Sequence, residues 1–362
     1  MMSLKVIICE ERDQQNWDEY VSDHTYGHFM QSWAWGVFKE QQGWRPMRFF
    51  ALRDGAPCGA MQVLTRGVLG KECLLYAPRG PVLDMNDLEV MDSLLCAVKS
   101  YYPNGITLRM DPYVREGEIG TDVFRGLRRL PEEWSFWNCP KYVFWLDTSG
   151  GTAQVFDAFG TKQRNQINYP AKRGVVFVKG GIDDVDDFYR LMVSMSLQKG
   201  IACHAKPFFQ KLFTVFCNNK MADISFAEID GERIACGMSL RFGKKSWLMY
   251  AATDENGYNF RASRAVQWDM ITSALENGCK RYDFRGTATG RNPSLNDPGY
   301  GVYEFKKKFC PEFVVLDGYY DYVLRPILYK IFRFAEVFAL PLAYNTYKKV
   351  HSFVDRSHVA KL

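Results

Sequence analysis

Ile224-Ser225-Phe226-Ala227-Glu228-Ile229-Asp230-Gly231-Glu232-Arg233-Ile234-Ala235-Cys236-Gly237-Met238-Ser239-Leu240-Arg241-Phe242 is the stretch on which the reading of this 362-residue chain turns. Apolar, β-prone runs at 224–229 and 234–242 flank Asp230-Gly231, and a tight Asp-Gly turn between such runs predicts two antiparallel strands. Moving outward, 246–252 predicts a third strand, 263–277 a helix, and 281–284 a further strand. Upstream, 185–199 and 208–218 predict helices. They follow a strand at 175–178, a basic segment at 162–173 and a helix beginning near Thr152.

The first half follows the same order in outline. It shows a helix at 33–42 ending at Gly43, then strands at 47–54 and 60–66 joined at Asp54-Gly55, and a short strand at 74–76. A helix at 87–101 places Leu88, Met91, Leu94, Leu95 and Val98 near i, i+3, i+4 spacing. The strand at 107–110 stops at Asp111-Pro112, because proline has no N–H for a ladder. Helices, a meander, another helix and a closing strand, occurring twice, are the order of a duplicated α/β acyltransferase-type fold with mixed sheets and flanking helices. The small, turn-forming residues at 148–152 mark the boundary between the halves.

Composition fits this picture. The chain is 47% hydrophobic and 24% charged, and its 26 Phe, 20 Tyr and 9 Trp suffice for large cores and for grooves that hold sugars, nucleobases or peptides. Core packing accounts for most of these rings. A net charge of +5 is far from that of a dedicated nucleic-acid binder, but it suits an enzyme handling phosphate-bearing substrates. Ten dispersed cysteines, among them Cys9, Cys58, Cys96, Cys139, Cys203 and Cys310, form no C-x-x-C pair, which points to a reducing cytosol and away from metal. His24 and His28 have no third ligand nearby, and His204 reads as structural. The polar first 23 residues carry no signal peptide, so a cytoplasmic location is expected. Near the C-terminus, 326–344 is apolar but interrupted by Lys330, Arg333, Glu336 and Pro341, which argues against a transmembrane span. Ile327, Ile331, Phe334, Val337 and Phe338 instead form an amphipathic helical stripe. Packing against the protein is its first reading. Peripheral contact with the inner face of a membrane is the alternative, kept open by Lys348 and Lys349.

The densest chemical signal runs over 282–309. Tyr282-Asp283-Phe284 leads into Arg285-Gly286 and a Gly/Pro/Asn-rich loop ending at Gly299, a composition that commonly borders a site. Gly301-Val302-Tyr303-Glu304-Phe305-Lys306-Lys307-Lys308-Phe309 follows. Three adjacent lysines are as readily a solvated face as a site. Phe305 and Phe309 favour the site, since alternation along the run would turn some lysines inward, where an ammonium needs an anionic partner.

The pairing of Gly301-Val302-Tyr303-Glu304-Phe305-Lys306 with Tyr282-Asp283-Phe284-Arg285-Gly286 resembles the signature of the Fem peptidyltransferases. These enzymes attach amino acids from aminoacyl-tRNA to the stem peptide of peptidoglycan precursors. Three further matches fall in order along the chain: Gln31-Ser32-Trp33-Ala34-Trp35-Gly36-Val37-Phe38-Lys39, Tyr76-Ala77-Pro78-Arg79-Gly80-Pro81-Val82 and Leu108-Arg109-Met110-Asp111-Pro112. The resemblance implies two acetyltransferase-like domains in tandem, 1–150 plus 320–362 and 151–319, with the C-terminal segment returning to the first. It implies catalytic roles for Lys306 and Phe305, precursor binding by Lys39 and Asp111, and substrate contacts at Tyr250 and Lys206. At Lys206 the family expectation is an arginine, and lysine loses the two-pronged donor geometry. Aminoacyl-tRNA is then the co-substrate, with no cofactor or metal. Lys307, Lys308 and Arg164, with Lys162, Lys172 and Arg173, are candidates for tracking tRNA phosphates. The helical arm of larger relatives has no room between Lys199 and Ile224, so the chain looks like the compact members.

Two other functions fit the same fold. An acyl-CoA-dependent N-acyltransferase would carry a glycine-containing pyrophosphate loop, where this chain has Arg261-Ala262-Ser263-Arg264-Ala265-Val266. A non-catalytic muropeptide- or tRNA-binding module would have no use for Phe305-Lys306.

Overall fold

The computed structural model describes residues 3–131, 139–287, 290–297 and 299–339. In the first of two mixed sheets, β1 (Leu4–Ile8), β2 (Arg45–Arg53), β3 (Ala56–Leu69) and β4 (Glu72–Ala77) run antiparallel, with β5 (Val82–Leu83) against β3. The helix Leu88–Tyr101 crosses over to β6 (Gly105–Met110), which is parallel to β4, and β7 (Arg128–Arg129) lies at the far edge. β8 (Tyr142–Asp147) then leaves this sheet for the second. There β9 (Val176–Gly180), β10 (Ala222–Ile229), β11 (Glu232–Phe242) and β12 (Lys245–Thr253) repeat the antiparallel series. The helix Ala262–Glu276 crosses to β13 (Arg281–Gly286), parallel to β12.

The duplication is therefore real, and the two halves also exchange strands. β8 pairs antiparallel with β13, and β14 (Glu312–Val315) pairs with β8. β15 (Tyr320–Val323) returns to the first sheet, antiparallel to β6, so it completes that sheet as β8 completes the second. The expected boundary at 148–152 falls on the wrong side of β8. Turn composition marks where the chain bends, while sheet membership is decided by pairing far along the chain.

Local signals account for the repeated parts. Asp54-Gly55 and Asp230-Gly231 both adopt positive φ, 50° and 84°, then 52° and 81°, as a tight hairpin turn requires. Asp87 caps its helix by accepting from the Val90 N–H at 3.2 Å, and Val90, Met91, Leu94, Leu95 and Val98 are buried under it. Burial on this scale contributes about 1.5–3 kcal/mol per large side chain. Three further segments refine the sequence reading. The basic segment contains a helix, Thr161–Asn168. β3 extends beyond the expected 60–66 at both ends. The lysine run is helical, Tyr300–Lys307, and not alternating. At about 100° per residue a helix turns only Lys306 inward and leaves Lys307 and Lys308 exposed.

The largest apolar cluster draws on both halves, joining Trp17, Phe29, Trp35 and Phe38 with Phe213, Phe216 and Trp247. Phe29 meets Trp247 with ring centroids 5.3 Å apart. With a shared core and exchanged strands, the halves act as one body.

The C-terminal helix Pro326–Phe334, with the turn continuing to Ala339, reverses the packing expectation. Ile327, Ile331, Phe334 and Phe338 are 77%, 61%, 67% and 63% exposed. The inward face is polar. Arg109 on β6 donates to both oxygens of Asp321 (2.8 and 2.9 Å) and of Glu336 (2.6 and 3.1 Å). Tyr329 donates to Asp321 at 3.0 Å and Arg333 to Glu336 at 2.6 Å. A buried guanidinium is tolerated only when its donors are matched, and this cluster matches both forks. Residues 340–362, with Pro341, Lys348 and Lys349, lie outside the described residues.

Candidate active site

A cavity of about 1310 Å³ opens between the halves. Its walls carry Lys39, Arg66, Lys199, Arg261, Arg264, Arg285 and Lys306, and no Asp or Glu among the described residues. Such a surface concentrates anionic ligands.

Lys306 lies at its floor, 7% exposed. Its Nζ donates to the Phe284 carbonyl at 2.7 Å and to that of Gly286. Arg285 between the two acceptors is left-handed, φ 58°, at an irregularity in the pairing of β13 with β8; strain of this kind collects at functional sites. Gly286 must be glycine, since a Cβ there would sit 2.8 Å from the Pro140 ring. Burial drives Lys306 from the ordinary 10.5 down to about 7; nearby Asp283 pulls it up and Arg285 pushes it further down. Asp283 is held in the core by the Tyr113 hydroxyl (2.6 Å) and the Trp145 indole N–H (3.0 Å). Phe305, half-buried on the cavity wall, packs on Phe309 with ring centroids 5.6 Å apart.

On the first-half wall, Lys39 projects from the last turn of the helix Trp33–Glu40 between the Trp35 and Trp44 rings, 5.7 and 5.5 Å from their centroids. Burial lowers its pKa, and Arg66 adds to the fall. Tyr250 on β12 lines the cavity with its ring against Phe209 at 5.3 Å, and burial raises its phenol to about 12. Lys306, Phe305, Lys39 and Tyr250 are thus brought together.

The other expected residues stand apart. Asp111 is 1% exposed, behind the wall. It accepts from the Arg79 backbone N–H at 2.8 Å and the Tyr76 hydroxyl at 3.3 Å, and Tyr76, not Asp111, faces the cavity. Burial raises its pKa against the pull of Arg79. Lys206 is outside the lining, paired with Asp186 at 2.8 Å on the surface. Arg164 turns to the Asp157 carbonyl at 2.8 Å. Lys307 lies over Tyr303 at 5.5 Å, and neither it nor Lys308 lines the cavity. His28 is a core ring against Tyr113 and Trp247, centroids 4.8 and 4.7 Å away. His204, read as structural, does line the cavity, stacked on Phe208 at 3.9 Å. Sequence reasoning gave no role to Trp44 and Arg66, and it held Tyr76 and Arg285 only as members of matched motifs, although all four line the cavity.

A tandem of acetyltransferase-like sheets with one cationic cleft between them defines the class. The sequence matches the FemAB family over residues 13–122, 133–234 and 230–337, and the chain belongs to that family. It is 28% identical over 331 residues to a UDP-N-acetylmuramoylpentapeptide-lysine N(6)-alanyltransferase of Weissella viridescens, covering 87% of this chain and 95% of the relative. It is 22% identical over 394 residues to a lipid II:glycine glycyltransferase of Staphylococcus aureus (strain USA300), covering 88% and 93%. The crystal structure of FemX superposes with a TM-score of 0.84 at 19% identity, covering 90% of this chain and 99% of that one, which shows the shared fold.

Proposed function

We propose that this protein transfers an amino acid from aminoacyl-tRNA to the stem-peptide amine of a peptidoglycan precursor, UDP-linked or lipid-linked, to build an interpeptide bridge. One observation carries the reading: a cavity between the halves that is lined by seven cations and, among the described residues, by no carboxylate, with a buried lysine at its floor. Both substrates are phosphate-rich, and both relatives act on peptidoglycan precursors by name.

The acceptor amine attacks the ester carbonyl, a C–N bond forms, the ester C–O bond breaks, and the ribose hydroxyl departs with a proton taken from the amine. Negative charge develops first on the carbonyl oxygen and then on the ribose oxygen. Lys306 has two of its three hydrogens tied to carbonyls, and the third is free for that charge. A positioned donor of this kind is worth about 3 kcal/mol in a dry site. Bound anions raise its pKa from about 7 and hold it protonated. Phe305 excludes water beside it. Lys39, framed by Trp35 and Trp44, takes the precursor phosphates, and Tyr250 contacts substrate. Asp111 acts through Tyr76 and Arg79 as a positioning residue. The exposed stripe of the C-terminal helix rests on the inner face of the membrane, where lipid-linked precursor is found. No helix among the described residues is long and apolar enough to cross it.

The test supplies the protein with a mixed charged-tRNA pool and UDP-muramyl pentapeptide and looks for added aminoacyl mass. Product is expected. Its absence, with product formed from acetyl-CoA and a small amine, would replace this reading with the acyl-CoA one.

A further inference from the structure

Outside the groups used above, the second half holds arginines that the described structure leaves without an anion. Arg173, Arg261 and Arg264 have no carboxylate partner among the described residues. Several arginines elsewhere are paired, Arg53 with Asp87, Arg115 with Glu312, Arg233 with Asp184 and Arg241 with Asp223. Arg261 and Arg264 sit one turn apart at the start of the helix Ala262–Glu276, where the helix dipole adds positive potential and no side chain caps the end. Arg264 carries a buried Nε without a hydrogen-bond partner. Arg261 is held left-handed, φ 57°. Like charges brought together at a strained position repel one another, and an anionic ligand relieves the repulsion.

The aromatic neighbours give that ligand a shape. Tyr169, half-buried at the end of the Thr161–Asn168 helix, lies between two guanidiniums, 4.8 Å from Arg261 and 5.9 Å from Arg173. Arg264 stands 5.8 Å from the ring of Phe305, the neighbour of Lys306. Arg261, Arg264 and Phe305 line the cavity, whereas Tyr169 and Arg173 lie outside it. Each ring therefore has cations beside it on the way from the outer surface to the lysine: Arg173 and Arg261 at Tyr169, then Arg264 at Phe305. A pyrophosphate needs only a compact cradle. Two rings, each flanked by guanidiniums and set along a line from the surface into the cavity, match single-stranded nucleic acid, which offers both phosphates and stacking bases.

We infer that Arg173, Tyr169, Arg261 and Arg264 form the entry path of the single-stranded 3′ end of aminoacyl-tRNA, delivering the ester to Lys306. Tyr169 is a stacking platform, and the arginines contact successive phosphates. The inference rests on the tRNA-dependent reading of the same cavity and assigns its RNA side to one wall.

The test measures binding of a fluorescent short RNA ending in CCA, alongside binding of UDP-muramyl pentapeptide as a control for folding. Arg261→Ala with Arg264→Ala is expected to weaken RNA binding at least about tenfold and to flatten its salt dependence by about 0.7 per lost contact in log–log slope, with precursor binding unchanged. Tyr169→Ala weakens it several-fold, and Tyr169→Phe restores it. Arg12→Ala removes one positive charge on a remote surface and leaves binding intact. Equal weakening by Arg12→Ala, or rescue absent in Tyr169→Phe, overturns the path. So does stronger displacement of the RNA by CoA than by a CCA trinucleotide. Should transfer from charged tRNA proceed with an unchanged KM in the Arg261/Arg264 double variant, the path falls and the transferase reading stands. Should transfer fail in wild type while this RNA pattern holds, the path stands and the transferase reading falls.

Discussion

Lys306→Met should make the protein more stable and nearly inactive, and the two effects have one cause. Burial lowers the Lys306 pKa from 10.5 to about 7. At about 1.4 kcal/mol per pKa unit, keeping this ammonium charged in the folded chain costs roughly 5 kcal/mol, and at pH 7, where it is half neutral, roughly 4. Methionine has similar volume and carries no such cost. It does remove the donors to the Phe284 and Gly286 carbonyls, at about 1 kcal/mol each. The net expectation is a gain of about 1–3 kcal/mol at pH 7. The pH dependence is the sharper signature. Between about pH 7 and 10.5 the unfolded lysine holds a proton that the folded one lacks, so wild-type stability gains on the variant as pH rises. Urea titrations of both proteins at pH 7, 8 and 9 measure the gap. A gap constant with pH would refute the depressed pKa. Turnover should fall about a hundredfold with precursor affinity kept, and unchanged turnover would remove Lys306 from the chemistry.

Three further outcomes are expected. Glu336→Ala leaves half of the buried Arg109 fork unmatched, so stability should drop by about 3 kcal/mol and limited proteolysis should cut the C-terminal helix sooner. Lys39→Met should raise KM for the precursor about tenfold while kcat is largely kept, as steady-state kinetics with saturating charged tRNA would show. Ile331→Ser with Phe334→Ser and Phe338→Ser should abolish co-sedimentation with anionic vesicles yet preserve transfer to UDP-linked precursor; undiminished co-sedimentation would remove the membrane role of the helix.

What the sequence disclosed depended on how far each signal reaches along the chain. The Asp-Gly turns and the periodic helix over 87–101 are specified by neighbours, and they were legible. β8 and β15 are short runs whose partners lie far along the chain, so no local pattern assigns them to a sheet. Lys306 was found by its motif, but its carbonyl acceptors flank a left-handed Arg285 that no composition announces. The same motif logic placed Asp111 in the groove, where the fold interposes Tyr76. It also placed Lys206 there, although Asp186 holds it outside. Arg261 and Arg264 first counted only as missing glycines. What they face emerged when the strand order brought Tyr169 and Phe305 alongside.

The exchanged strands bear on ancestry. Once each repeat had given a strand to the other, a single repeat would bare the edge of β6 or β13, an invitation to aggregate. The two copies became inseparable within one gene. Neither then had to remain a viable protein by itself, and each was free to drift toward its own share of the cavity wall.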